Sequence, residues 1–407
     1  MSPTSRPGVS VISDATRRAR IAVRQGLAAD HRHPDISSAT KAMSAWHSTE
    51  PASVHLGIAA RTEAPSLVDV DAALYEERSL VKMLAMRRTV FAFPRTLVPA
   101  ARASSGARVA AQTRTGLHKT LRDHAITRDP DDWTDGVQRD VLAALSDGIP
   151  LSSKEIGAAV PEVARRVPIG TGRSWESTTA LTPQVLALLS ASGHIMRGPN
   201  AGDWRRPAPL WTTPEHWLGA PLAPVSEREG YAVLVAAWLS SFGPGTEADL
   251  VWWLGSTKGA VRTALADIDA VPVLLEGDTP GWSAPEDDLR DLDAADVGPW
   301  AALLPALDPA TMGWRDRAFY LDPAYVPLLF DSAGNGAQTA WVNGRIVGTW
   351  VMDDQDRVRV VLCDPDLRSG ERALLDVEAE RLATLLDGQR ISSPYTSALA
   401  SGKSLSP

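Results

Sequence analysis

The sequence predicts a mainly α protein with small β wings, made of three tandem units and a C-terminal α+β domain resembling a partial β-barrel. Two observations carry this expectation. Three helical stretches closed by a short extended pair recur three times along the chain without repeated residues. Beyond residue 299 the pattern changes to β-rich runs around Asn343-Gly344, a strong hairpin signal, with one long amphipathic helix behind them. A chain of 407 residues is also too long for one simple core. Three helices followed by a short β element is the winged-helix order. The expected boundaries are 12–126 for the first unit with a basic helical connector, 127–222 for the second, 223–298 for the third and 299–400 for the β-rich domain.

Residues 1–11 are polar and read as disordered, with no apolar leader segment. Asp14 reads as a cap for a helix from Thr16 to Leu27, and Ser37 or Ser38 as the cap of a second from Thr40 to Trp46. Thr49-Glu50-Pro51 has a hydroxyl, an acid and a first-turn proline, so a third helix is expected to about Arg61. Asp69 to Tyr75 is helical. Ser79 to Phe93 reads as extended segments, with Arg87 and Arg88 at a strand edge. Arg95 to Ile126 is a helical connector broken at Ser104-Ser105-Gly106.

In the second unit, Trp133 to Leu145 is amphipathic, Leu151-Ser152-Ser153-Lys154-Glu155-Ile156 opens a helix with a hydroxyl cap, and Thr182 to Ser192 is the third helix. His194 to Arg206 and Pro207 to Thr212 are the arms of a wing. In the third unit, helices are expected at Ser226 to Leu239, Glu247 to Leu254 and Ser256 to Ile268, then a wing of Val271 to Leu275 and Gly281 to Ser283. Strands at Thr339 to Val342, Ile346 to Met352 and Val358 to Leu362, then a helix from Glu371 to Leu386, close the chain.

Composition narrows the chemistry. The single cysteine, Cys363, leaves no disulfide framework or cysteine-rich zinc site and suits a reducing, cytoplasmic setting. No apolar run approaches the roughly 20 residues of a membrane span. Phosphate-loop, dinucleotide, His-Glu-x-x-His and Gly-x-Ser-x-Gly motifs are absent, so neither a metal nor a cofactor is expected. The net charge is −8, but residues 1–125 hold 18 Lys/Arg against 10 Asp/Glu, and the remainder 23 against 39. A basic N-terminal third can create a local anion-binding field, or merely a solvated helix face.

Two segments stand out as candidates, Trp46-His47-Ser48-Thr49-Glu50-Pro51 and Met86-Arg87-Arg88-Thr89. Thr49 either caps a helix while His47 closes the preceding one, or imidazole and hydroxyl converge on one water. Arg87 and Arg88 are phosphate contacts or ordinary surface charge. Arg197, Arg205 and Arg206 fit a wing that follows a nucleic-acid backbone. Asp308 and Arg317 are expected to pair structurally in the C-terminal domain. The fourteen tryptophans read as core filler.

These two segments, with Phe242-Gly243-Pro244, Thr246, Trp252-Trp253, Leu304-Pro305-Ala306-Leu307-Asp308-Pro309, Gly313-Trp314, Arg317 and Gly344-Arg345-Ile346-Val347-Gly348-Thr349-Trp350, run through nearly the whole chain. In them the sequence resembles the AlkZ-like winged-helix DNA glycosylases. The resemblance implies three winged helices in a C shape around a concave basic channel, which Arg102, Arg108, Arg114 and Lys119 would line. It implies a monomeric, monofunctional enzyme acting on double-stranded DNA in the cytoplasm, associated with the nucleoid. Its substrates would be bulky N7-alkylated purines, including crosslinks. The family's catalytic motif, Gln-x-Gln or Gln-x-Asp, holds a water; His47 and Thr49 occupy those positions here. The alternative is a non-enzymatic winged-helix regulator or lesion sensor that only binds DNA.

Overall fold

In the computed structural model the described residues are 10–402, apart from 171, 174, 175, 289–291, 293, 364 and 365. The expectations for residues 1–9 lie outside them. A helical framework carries three small sheets and two further two-stranded hairpins among the described residues.

Strand β1 (Val11–Ile12) corrects the expectation of disorder through residue 11. Ile12 is fully buried and packs with Val273 and Leu275, which is what orders the segment. The Ser13 hydroxyl, not Asp14, caps the Asp14–Arg24 helix by accepting from the Thr16 N–H. Asp35 likewise caps Ile36–Ala42. That helix stops four residues short of the expected end at Trp46. Trp46–His47 is instead a strand, β2, because its aromatic residues pair with a neighbouring strand and bury Trp46 completely.

Strands β3 (Leu80–Leu84) and β4 (Val90–Pro94) form a hairpin, and β2 adds to the free edge of β4 in the order β2-β4-β3. Register fixes the faces. Trp46, Ala92 and Lys82 are cross-strand partners on one face; His47, Phe91 and Met83 are partners on the other. Met86–Arg88 is not a strand edge but a 3-10 turn joining the two strands, with Arg87 and Arg88 at φ 53° and 61°.

The connector's expected break at Ser104-Ser105-Gly106 is a π-turn, Arg102–Gly106, that runs on into the Ala107–Asp123 helix. The second unit contains the expected helices, Pro130–Ala144, Ser153–Ala159 and Thr182–Ala191, with Ser152 and Glu155 forming a capping box. It also contains a largely exposed hairpin that sequence reading missed, β5 (Arg166–Ile169) with β6 (Ser177–Ala180). Where the wing is expected there is a hairpin, β7 (Met196–Asn200) with β8 (Pro209–Thr212), shorter than the expected arms His194–Arg206 and Pro207–Thr212. In the third unit, helices Glu227–Phe242, Glu247–Leu254 and Lys258–Asp267 precede the hairpin β9 (Val271–Leu275) and β10 (Thr279–Ser283), and β1 adds in parallel to β9.

The C-terminal strands β11 (Ala301–Leu304), β12 (Thr339–Val342), β13 (Arg345–Met352) and β14 (Val358–Leu362) make one open antiparallel sheet in sequential order. The partial barrel is therefore corrected to an open sheet: β11 and β14 remain edges, and helix Ser369–Leu386 covers a face with Leu375, Leu382 and Leu386. Asn343 and Gly344, at φ 47° and 80°, give the tight β12–β13 turn its left-handed backbone.

One apolar cluster runs from the first helices through the Glu227–Phe242 helix to Trp314 and Trp341. A second core joins Leu117 and Leu121 of the connector helix to apolar residues from Val137 to Trp211. Among the described residues no helix is long and apolar enough to cross a membrane.

Candidate active site

β2 sets the His47 ring on the sheet face it shares with Phe91, ring centroids 4.8 Å apart. The ring is 5% exposed. Burial, reinforced by the nearby Arg87 guanidinium, lowers its pKa to about 3, so the imidazole is neutral at physiological pH. The Thr49 backbone N–H approaches Nδ1 at 3.5 Å, a weak contact that favours a proton on Nε2. Thr49 does not cap the next helix. Glu50 stands at the cap position of Pro51–Ala60 and makes no side-chain cap bond, and Thr49 itself is exposed.

His47 borders a cleft of about 320 Å³ whose wall includes Arg87, Thr89, Trp252, Arg315 and Arg317. The left-handed turn at Arg87 lays its guanidinium 4.1 Å from the Trp252 ring centroid. Arg317 approaches Trp252 at 5.2 Å and Phe330 at 4.7 Å. Burial and the like charge of Arg317 bring the Arg87 pKa down to about 10, still fully charged at neutral pH. Neither guanidinium has an ion-pair partner among the described residues, and Arg87 Nε and the Arg317 NH2 nitrogen are buried without a hydrogen bond. Two cations without ion pairs in one cleft, with a neutral imidazole at its edge, suit the cleft to an anion.

The loop carrying Arg315 and Arg317 is tied to the Trp252 helix. Fully buried Asp249 uses Oδ2 to complete the capping box with Thr246 and Oδ1 to accept the N–H groups of Arg315 and Asp316 at 2.8 and 3.0 Å. Sequence reading paired Arg317 with Asp308. That is corrected: Asp308 binds Arg61 in a fully buried ion pair, which leaves Arg317 for the cleft. The signal for Arg317 and Trp252 lay in the matching segments Gly313-Trp314 with Arg317 and Trp252-Trp253; only their meeting point was hidden.

The other candidates are scattered. Thr49 is not in the cleft wall; Thr89 is, its hydroxyl donating to Met86 O at 2.9 Å. Arg88, Arg108 and Arg206 are exposed. Arg102 packs its stem on Gly193. Arg114 is paired with Asp131 and Asp135, Lys119 with Asp123 and Arg205 with Asp203. Arg197 turns inward onto the Trp211 ring. A larger cavity of about 420 Å³ between the Asp14–Arg24 helix and the C-terminal sheet holds none of the candidate residues. Among the described residues no group of three or more His, Cys, Asp or Glu side chains could hold a metal ion.

The family model described as "DNA glycosylase AlkZ-like" matches residues 40–385. The chain is similar in structure to the Streptomyces sahachiroi DNA glycosylase AlkZ, with a TM-score of 0.72 at 21% identity, over 93% of this chain and 98% of that one. No curated protein matches it by sequence. The family match spans the His47 strand, the Arg87 turn, the Trp252 helix and the Arg317 loop, the four segments that enclose the cleft. The chain belongs to the AlkZ-like DNA glycosylase family.

Proposed function

We propose that the protein is a monofunctional glycosylase that hydrolyses the N-glycosidic bond of bulky N7-alkylated purines in duplex DNA, with His47 holding the attacking water. The observation that carries this reading is the neutral His47 ring at the edge of a cleft containing two unpaired guanidiniums. DNA phosphates are the anions those guanidiniums await, and binding them sets a sugar against the imidazole. An N7-alkylated guanine is already cationic, so its departure needs no acid. The sugar becomes oxocarbenium-like, water attacks C1′ and sheds its proton to solvent, and the neutral imidazole holds that water in place. Thr49, exposed and outside the cleft wall, positions the ring through its backbone N–H rather than holding the water. The three helix-and-hairpin units are read as winged helices arranged in a C around the duplex, with Arg88, Arg102, Arg108 and Arg206 as its outer phosphate contacts.

The test is release of the alkylated base from an N7-alkylguanine duplex at saturating protein. His47→Ala is expected to slow release by about 100-fold, the weight of losing the group that positions the water. His47→Gln, which restores the family's amide, is expected to keep most of the rate. Equal release by wild type and His47→Ala at matched DNA occupancy would instead make the protein a lesion-binding sensor or regulator.

A further inference from the structure

A second, smaller cleft lies on the sheet face opposite His47. It has room for about 30 Å³ and is lined by Ser48, Tyr75, Lys82, Arg197, Asn200 and Trp204, among others. Its unengaged polar side chains are donors. Lys82 Nζ donates to Tyr75 Oη at 2.7 Å, and the phenol's own hydrogen meets no acceptor among the described residues. Ser48 is 9% exposed and its Oγ has no hydrogen-bond partner. Arg197 forms no ion pair among the described residues, and its buried Nε is unpartnered. The one side-chain acceptor, Asn200 Oδ1, is already engaged by the N–H groups of Gly202 and Ala208 at 3.4 and 2.7 Å. Asp71 spends an oxygen on His55 Nε2 at 2.9 Å; its charge favours the Lys82 cation, but it forms no salt bridge with either cation among the described residues.

Burial and the like charge of Arg197 lower the Lys82 pKa to about 8, against the opposing pull of Asp71. Lys82 and Arg197 are half-buried like charges, Lys82 beside the Tyr75 ring and Arg197 over Trp211, and an anion between them would relieve their repulsion. A water could accept two of these hydrogen bonds but would not offset the repulsion between the two cations.

We propose that this cleft binds one small inorganic anion of halide size, chloride in solution, held by Lys82, Arg197, Ser48 Oγ and Tyr75 Oη. The free volume suits one small particle of about the size of a water or a halide. The ion bridges β3 to β7, and so ties the first unit to the second unit's hairpin. It also sits directly behind Ser48, between His47 and Thr49, and braces that segment from the rear.

The full-length protein tests this without DNA and without an activity assay, so the result is independent of the glycosylase reading. Thermal unfolding is measured in sodium chloride and in sodium gluconate at equal ionic strength, and crystals are soaked in bromide. Chloride is expected to raise Tm saturably, by about 2 °C relative to gluconate. Bromide is expected to give an anomalous peak at hydrogen-bond distance from Lys82 Nζ and Ser48 Oγ. Lys82→Met abolishes the chloride-specific shift; Ser48→Ala, a milder change that keeps the fold, weakens it. Identical Tm in the two salts, or a water with no bromide peak, overturns the proposal. So does a bromide peak without a chloride-specific shift, which is an adventitious ion only.

Discussion

Arg61 and Asp308 form a two-point ion pair, NH2 to Oδ1 at 2.7 Å and NH1 to Oδ2 at 2.9 Å, with both side chains fully buried. Arg61 directly follows the Pro51–Ala60 helix that leads away from His47, donates to Gly57 O at 2.7 Å, and stands over the Trp46 ring at 5.2 Å. Asp308 caps the short Pro309–Met312 helix. The pair therefore locks the candidate site's own helix onto the C-terminal domain. Asp308→Asn strands a buried guanidinium, and the expected loss is about 3–5 kcal/mol. Urea unfolding reads it as a lower midpoint at unchanged m-value. Replacing both partners with apolar residues should cost much less than the two single changes summed. A wild-type midpoint for Asp308→Asn would show that the pair contributes nothing.

The same pairing gives Arg317 a different fate from the one expected of it. Arg87→Ala and Arg317→Ala should each weaken duplex binding and make log K against log salt shallower by about 0.9, one phosphate apiece. Arg87→Lys keeps the charge but loses the flat contact with Trp252, so it should recover the salt slope and not the full affinity. Arg114→Ala is the contrast: Asp131 and Asp135 already neutralise that guanidinium, and its removal should change neither slope nor affinity appreciably. If Arg114→Ala weakens binding as much as Arg87→Ala, the DNA path runs along the connector helix rather than through the cleft.

Helix positions were legible wherever a cap and a periodic apolar face coincided, as at Ser152, Ser226 and Thr246. The Trp46–His47 strand was not legible, because two residues carry no period and their strand character comes only from pairing with β4. The exposed β5–β6 hairpin lacks the apolar alternation that marks a strand. The motif residues His47 and Arg87 could be picked from sequence. The partner of Asp308 could not, since Arg61 lies 247 positions away and nothing local distinguishes it from Arg317. Lys82 reads as an ordinary strand lysine until the β7–β8 hairpin closes over it.

His47 predicts a pH dependence with a definite sign. Its folded pKa of about 3 lies below the ordinary value of 6.5, so below pH 6.5 the unfolded chain binds a proton that the folded protein refuses. The ring therefore costs nothing above that pH and destabilises the fold increasingly as pH falls toward 3, by up to about 1.4 kcal/mol per unit. The lowered pKa values of His33, His55 and His194 act in the same direction, so the comparison must be wild type against His47→Gln. Urea midpoints should converge at neutral pH and separate in favour of the variant as pH drops to about 4.5. Base release should show no His47 titration between about pH 5 and about pH 8. An NMR titration placing the ring near 6.5 would contradict both expectations.

Gly255 governs where Arg87 sits. It closes the Glu247–Leu254 helix at φ 60°, and a Cβ there would lie 3.1 Å from the Arg87 backbone nitrogen and 3.4 Å from its Cγ. Gly255→Ala thus combines a left-handed alanine, worth about 1 kcal/mol, with pressure on the turn that lays Arg87 over Trp252. It should lower stability modestly and reduce DNA affinity nearly as far as Arg87→Ala does, although it removes no charge. Gly116→Ala is the matched control: it lies exposed in the Ala107–Asp123 helix with nothing within 4 Å of an added Cβ. That change should stabilise by about 0.5–1 kcal/mol and leave DNA binding unaltered. Full DNA affinity in Gly255→Ala would mean that the Arg87 turn can shift freely, and that its stacking on Trp252 does not position the guanidinium for phosphate.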